Sequence, residues 1–139
     1  MRYPVNIEQD GTNLFVSFPD IPEALTCGDD LADAKFMAYD ALLTAFSMYF
    51  DDEDKEIPLP SNTITEHYIE IPASVVAKVL LLNAMVKAGI SRAELGRRIG
   101  IKKQNVKQLL DVYHATKIDT IEKALLNLGY KLTLSADPL

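Results

Sequence analysis

Residues 91–110, SRAELGRRIGIKKQNVKQLL, decide how this 139-residue chain is read. The stretch divides at Gly100 into two short helices. Ser91 can cap the first, because its hydroxyl accepts from a free N–H of the opening turn, and Glu94 three residues on makes a capping box. Leu95 and Ile99 form the inward face. Gly96 falls where the two helices would cross, a position that tolerates no bulk. Gly100 supplies a turn conformation that other residues resist. Ile101, Val106 and Leu109 complete a small core. This is the pattern of a helix-turn-helix, whose second helix enters the major groove of DNA.

The second helix is expected over roughly Lys103 to Val112. Its outward positions are Lys102, Lys103, Gln104, Asn105, Lys107 and Gln108. An amide side chain can bond adenine through two atoms, and a lysine can meet guanine or phosphate. Arg92, Arg97 and Arg98 on the first helix are expected as phosphate clamps. His114 and Lys117, just beyond the second helix, extend the DNA-contact set. From Lys87 through Lys107 the chain carries seven Lys/Arg against one acid, Glu94, a local net charge of +6. A helical module with a merely solvated basic face is the bland alternative. Pattern and charge coincide here, which favours nucleic acid.

Working outward, Pro72 suits the first turn of a helix that runs to about Ala88 and stops at Gly89. Downstream, Asp119 and Glu122 repeat the capping-box logic and open a helix that Gly129 closes. Tyr130, Leu132 and Leu134 alternate and suggest a short final strand.

The N-terminal half has a different period. Tyr3, Val5 and Ile7 alternate with Pro4, Asn6 and Glu8, and Leu14, Val16 and Phe18 alternate with Phe15 and Ser17, while Asp10-Gly11 between them signals a hairpin turn. A proline-bracketed loop, Pro19-Asp20-Ile21-Pro22, leads to a third strand around Ala24 to Cys27, ended by Gly28. Asp29 or Asp30 caps the next helix. Its apolar stripe is Leu31, Ala34, Ala38, Ala41, Leu42, Ala45 and Tyr49. The acidic run from Asp51 to Glu56 ends that helix, and His67 to Ile71 reads as another strand. The order β-β-β-α-β implies an α+β sheet with one helix on one face.

Composition bounds the rest. Apolar residues make up 48% and charged residues 24%, ordinary for a globular chain of one or two small domains. The formal charge of −6 hides a segregation. Residues 1–70 hold 3 Lys/Arg against 15 Asp/Glu, a net −12, whereas residues 71–139 hold 11 against 5, a net +6. The acidic half would repel nucleic acid and attract a basic partner. The division places an acidic α+β domain at residues 1–71 and a basic all-α domain at 74–139.

Cys27 is the only cysteine, so no disulfide within the chain and no thiolate cluster can form. A reducing cytoplasm is the default compartment. The start of the chain lacks a long apolar core, and no secretory or membrane-spanning segment is expected. An enzyme is not expected either. His67 reads as an ordinary strand residue, and no H-E-x-x-H, G-x-S-x-G or Walker loop is present. Cys27 has no activating base marked in the sequence. The adjacent acids Asp51, Asp52, Glu53 and Asp54 point in several directions and are read as solvated. No metal and no cofactor are expected.

Tyr3-Pro4-Val5, Val16-Ser17-Phe18-Pro19-Asp20-Ile21-Pro22, Leu25-Thr26, Gly28-Asp29 and an Ala-rich helix ending Asp40-Ala41-Leu42 together resemble the HicB antitoxins of HicAB toxin–antitoxin pairs. The tail, with His114-Ala115-Thr116-Lys117-Ile118-Asp119, is similar to the HicB subgroup that carries a C-terminal helix-turn-helix. Glu23 stands where glycine is frequent in that family's loop. The resemblance implies that the first half is a partial RNase H-like sheet that binds and blocks a small basic HicA-type ribonuclease toxin, which cleaves mRNA. It implies that the tail binds the operon's own promoter as a dimer and represses it, so that the protein is nucleoid-associated when bound. RNase H enzymes need several spaced carboxylates holding Mg²⁺. Glu8, Asp10 and Asp20 do not make such a set, so no nuclease activity is expected. Asp20, Glu23, Asp29 and Asp30 are the expected toxin contacts. The competing reading is a ligand-responsive repressor whose first half senses a small metabolite.

Overall fold

A computed structural model describes residues 1–52 and 54–139. Glu53, one of the acidic run, lies outside the described residues. Among those described, the chain forms four strands and five helices: β1 (Arg2–Asp10), β2 (Asn13–Ser17), β3 (Leu25–Gly28), α1 (Leu31–Asp51), β4 (His67–Glu70), α2 (Ala73–Ala88), α3 (Arg92–Ile99), α4 (Lys103–Leu109) and α5 (Ile118–Asn127). The fold is α+β, with a four-stranded antiparallel sheet in the order β3-β2-β1-β4.

Alternation sets the two faces of the sheet. Tyr3 and Val5 on β1, Val16 on β2 and Ile69 on β4 are buried on one side, where α1 covers them. Phe15 pairs with Cys27 and Ser17 with Leu25 on the opposite side, which leaves Phe15, Leu25 and Cys27 exposed. Asp30 caps α1, its carboxylate accepting from the Asp33 N–H at 2.8 Å. The buried stripe of α1 is Ala34, Ala38, Leu42, Leu43, Ala45, Phe46 and Phe50. It differs from the expected stripe: Leu31 lies 43% exposed, and Ala41 and Tyr49 are only half-buried. Phe46 fills the face instead, its ring 5.6 Å from that of Tyr3.

Helix α2 is apolar all round. No residue from Val75 to Val86 is exposed, so the helix must be surrounded. Its two buried polar side chains are Lys78 and Asn83. Asn83 accepts from the Ile57 N–H at 2.7 Å and donates to the Ile57 carbonyl at 3.0 Å, tying α2 to the segment after α1. Gly89 then turns the chain in the left-handed region, with φ of 64°.

Three expected boundaries shift. α4 ends at Leu109, not near Val112, because the Lys78 ammonium draws the carbonyls of Gln108, Asp111 and His114 together and forces a turn. α5 opens at Ile118 after Lys117, so Asp119 lies inside the first turn and caps nothing. There the carboxylate still favours the positive end of the helix. Residues 130–139 form no strand among the described residues, because the sheet has no edge that reaches them. No single helix among those described is long and apolar enough to cross a membrane.

Gly28 closes the turn into α1. A Cβ there would lie 2.5 Å from the Ala34 nitrogen and 2.6 Å from its Cα, both backbone atoms. Gly28→Ala is expected to destabilise the chain by about 1–3 kcal/mol, read as a lowered urea midpoint.

Candidate functional site

The outer surface of α3 and α4 gathers most of the residues that the sequence marked for nucleic acid, leaving Arg92, Gln108, His114 and Lys117 at or beyond its edge. Its foundation is the crossing of the two helices. Leu95, Ile99, Val106 and Leu109 are buried beneath it. A Cβ on Gly96 would stand 3.0 Å from Cγ2 of Val106 and 3.2 Å from the Ile101 carbonyl oxygen, so the helices meet there with nothing between them. Gly100, at φ of 70°, makes the turn, and the Ile101 N–H closes it on the Gly96 carbonyl at 3.1 Å. Ile101 itself is half-buried.

On this base Lys102, Lys103, Gln104, Asn105 and Lys107 are all exposed. Lys102, Lys103 and Lys107 make no ion pair among the described residues. Their charges therefore face solvent without an internal counter-ion. Gln108 differs from its neighbours: it is half-buried, with its carbonyl held by Lys78. A groove lined by Gly96, Arg97, Ile101, Lys103, Gln104 and Lys107 lies along the crossing.

The arginines have distinct places. Ser91 caps α3 through the Glu94 N–H at 3.2 Å, but the reciprocal half of the expected capping box is not made, because the Glu94 side chain turns to arginine instead. Both oxygens of Glu94 go to arginine: Oε2 accepts from Arg97 Nη2 at 2.6 Å and Oε1 from Arg98 Nε at 3.2 Å. These bonds, led by the one from Arg97, hold the Glu94 carboxyl below its usual range. They also fix two guanidinium groups side by side on the outer turn of α3. Arg92 sits at the inner end, half-buried, and donates to the Phe50 carbonyl in the last turn of α1. His114 is half-buried, with Nδ1 3.1 Å from Thr116 Oγ1, and Lys117 is exposed before α5.

The four acidic candidates of the first half do not form one cluster. Asp20 and Glu23 precede the edge strand β3, while Asp29 and Asp30 follow it, so the pairs lie at opposite ends of a strand about 13 Å long. Asp20 accepts from the Ser61 N–H at 2.9 Å, and Glu23 from the Tyr49 hydroxyl at 3.0 Å. The Asp29 N–H donates to Asp33, and Asp30 caps α1. Between the two pairs stand exposed apolar side chains that sequence reasoning passed over: Leu25 at 56%, Phe15 at 40%, and Cys27. Strand alternation could have found them, since each is the outward neighbour of a buried or half-buried residue. Among the described residues no group of three or more His, Cys, Asp or Glu could hold a metal ion.

Comparison with known proteins settles the family. Residues 2–80 match the model of the HicB_like antitoxin of bacterial toxin–antitoxin systems. The chain belongs to the HicB-like antitoxin family. It is 53% identical to Antitoxin HicB 2 of Photorhabdus laumondii over 136 residues, covering 98% of this chain and 96% of that protein. It is 50% identical to Antitoxin HicB of Escherichia coli K12 over 136 residues, covering 96% and 98%. The HicB-like family model ends inside α2, whereas the similarity to these relatives runs on through α3, α4 and α5. The relatives are antitoxins and not enzymes, so the residues described above are read as binding surfaces.

Gly96→Ala tests the crossing on which the basic surface rests. An alanine inside a helix ordinarily gains about 1 kcal/mol over glycine, but here overpacking against Val106 and the Ile101 backbone costs about 1–3 kcal/mol. The expected outcome is a net loss of stability in urea unfolding.

Proposed function

We propose that this chain is an antitoxin and autorepressor built of two working parts. The acidic α+β part, residues 1–71, is a partial RNase H-like sheet that binds and inhibits a small basic HicA-type ribonuclease toxin. The basic part, residues 74–139, is a helix-turn-helix domain that binds operator DNA as a dimer and represses its own operon. The protein acts in the cytoplasm and joins the nucleoid when bound to its operator.

One observation carries the DNA reading: the exposed face of α4, where three lysines without counter-ions flank two free amides, above a close crossing with α3. Gln104 and Asn105 are the base-reading side chains. Lys102, Lys103 and Lys107 meet bases or phosphate, with Gln108 at the inner edge of the face. Arg97 and Arg98 clamp phosphate from α3, aided by Arg92 at its inner end. His114 and Lys117 extend the contact along the backbone. In a dimer the two α4 helices would lie about 34 Å apart, one turn of the duplex.

The toxin reading is supported by family membership and by the charge of the first half. Its proposed contacts are Asp20, Glu23, Asp29 and Asp30, flanking the apolar Phe15, Leu25 and Cys27. An apolar centre with an acidic rim suits a basic protein: the rim speeds encounter and the centre holds the complex.

Co-purification with the product of the neighbouring gene tests the toxin reading. That product alone should cleave RNA, and adding this chain should stop it; undiminished cleavage by a co-purified complex would overturn the assignment. For DNA, Gln104→Ala should lose about 1–3 kcal/mol on a duplex of the chain's own promoter and little on random duplex. Equal loss on both would show that Gln104 reads no base. Affinity should fall with salt by about 0.9 log unit per log unit for each phosphate contact.

A further inference from the structure

Lys78 is the one buried charge among the described residues, with 1% of its surface exposed. It lies on α2, far from the surface of α4, yet its ammonium ends against the C-terminus of that helix. Nζ donates to the carbonyls of Gln108 at 3.1 Å, Asp111 at 2.6 Å and His114 at 2.7 Å. An ammonium has three N–H donors, so none remains for a ligand. Burial pushes the Lys78 pKa down, and the nearby Asp111 partly opposes that. The Asp111 carboxylate does not touch the ammonium; it accepts from the Tyr113 N–H at 2.9 Å.

A lone buried ammonium is costly, and an apolar residue of the same length would fill the space without that cost. What the ammonium adds is direction. It places a positive charge at the negative end of the α4 dipole, and it gathers three carbonyls to one point; those of Gln108 and Asp111 also accept the Asp111 and His114 N–H groups at 3.2 and 3.1 Å, so the ammonium binds consecutive turns together. α4 needs such an anchor. It has seven residues and no side-chain cap at its start. The Gly96–Val106 crossing and the buried Leu109 seat its inner face, but a short helix can still rock about Val106 at its middle. Each end lies about 4.5 Å from Val106, so a tilt of about 10° moves it by about 0.8 Å, more than the roughly 0.5 Å spread of hydrogen-bond lengths.

We propose that Lys78 is the positioning residue of the DNA-reading helix, the second anchor that fixes the tilt of α4 and so the aim of Gln104, Asn105 and Lys107. The assignment rests on the DNA reading of α4 given above. It places a specificity determinant in the core of the chain, on a helix that offers no side chain to DNA at that point.

The test uses the full chain carrying Lys78→Met, which keeps the apolar stem and removes the ammonium. Affinity for a duplex of the chain's own promoter should fall by about tenfold or more, while affinity for random duplex falls by less than about threefold. The salt slope should equal that of the unaltered chain, because Lys78 meets no phosphate. Lys107→Ala, a surface control, should lower the slope by about 0.9. Unchanged discrimination in a folded Lys78→Met chain would overturn the assignment of Lys78 alone. A lowered slope in that variant would also overturn it, since Lys78 would then be a phosphate contact. If the unaltered chain fails to distinguish promoter from random duplex, the DNA reading falls and the proposal falls with it. Should Lys78→Met not fold, the unaltered ¹⁵N-labelled chain still decides: one lysine ammonium must give a slowly exchanging signal, and its absence would overturn the three-carbonyl anchor.

Discussion

Helix α2 has no face that can be given to water, and the arrangement of the whole chain follows from that. Every residue from Val75 to Val86 is buried or half-buried. An amphipathic helix needs a neighbour on one side; this one needs neighbours all round. The segment after α1 supplies one side and α5 supplies another. The two polar side chains that α2 does bury point to different parts of the chain. Asn83 makes a reciprocal pair with the Ile57 backbone, and Lys78 holds the end of α4. Every buried side-chain polar atom among the described residues finds a partner, so neither residue is a defect of packing. α2 therefore sets the position of both the acidic and the basic part.

Local rules recovered what local contacts determine. The hairpin of β1 and β2, the Asp30 and Ser91 caps, and the turns at Gly89 and Gly100 depend on residues within a few positions of one another, and the sequence showed each of them. The Gly96 crossing was legible for the same reason, since Val106 is only ten residues away. Apart from Asp119, whose expected cap falls inside its own first turn, the misreadings share the opposite cause. α4 stops early because of a lysine thirty residues upstream. Leu31 was assigned to the buried stripe of α1 and Phe50 was not, because which helix face meets the sheet depends on the path of β3 and β4. Tyr130 to Leu134 alternate like a strand, but a strand needs an edge, and no sequence period supplies one.

The candidate site divides along the same line. The amide and lysine face of α4 follows from helical periodicity over seven residues, so it could be read directly. The acidic candidates could not be grouped that way. Asp20, Glu23, Asp29 and Asp30 are close in sequence but straddle an extended strand, and extension separates them. Their partners, Ser61, Tyr49 and Asp33, show that three of these acidic positions also hold the loops around β3 in place. A surface made of such residues is already ordered before a partner arrives, which lowers the entropy lost on binding.

Opposite charges in one small chain would ordinarily cancel by facing each other. Here the two parts meet in opposite charge at their seam. Lys87 pairs with Glu56 at 3.6 Å, and Arg92 meets the C-terminal end of α1. Within the basic part, Glu94 pairs with both Arg97 and Arg98 without reaching the lysines of α4. The acids of the β3 loops are likewise engaged by hydroxyl and amide groups, not by cations. Neutral donors order those carboxylates and leave their charge intact. The fold thus keeps two opposite fields on separate surfaces of one chain, joined through a helix that neither surface can move without disturbing. The net charge of −6 is the sum of those fields and describes the surroundings of neither.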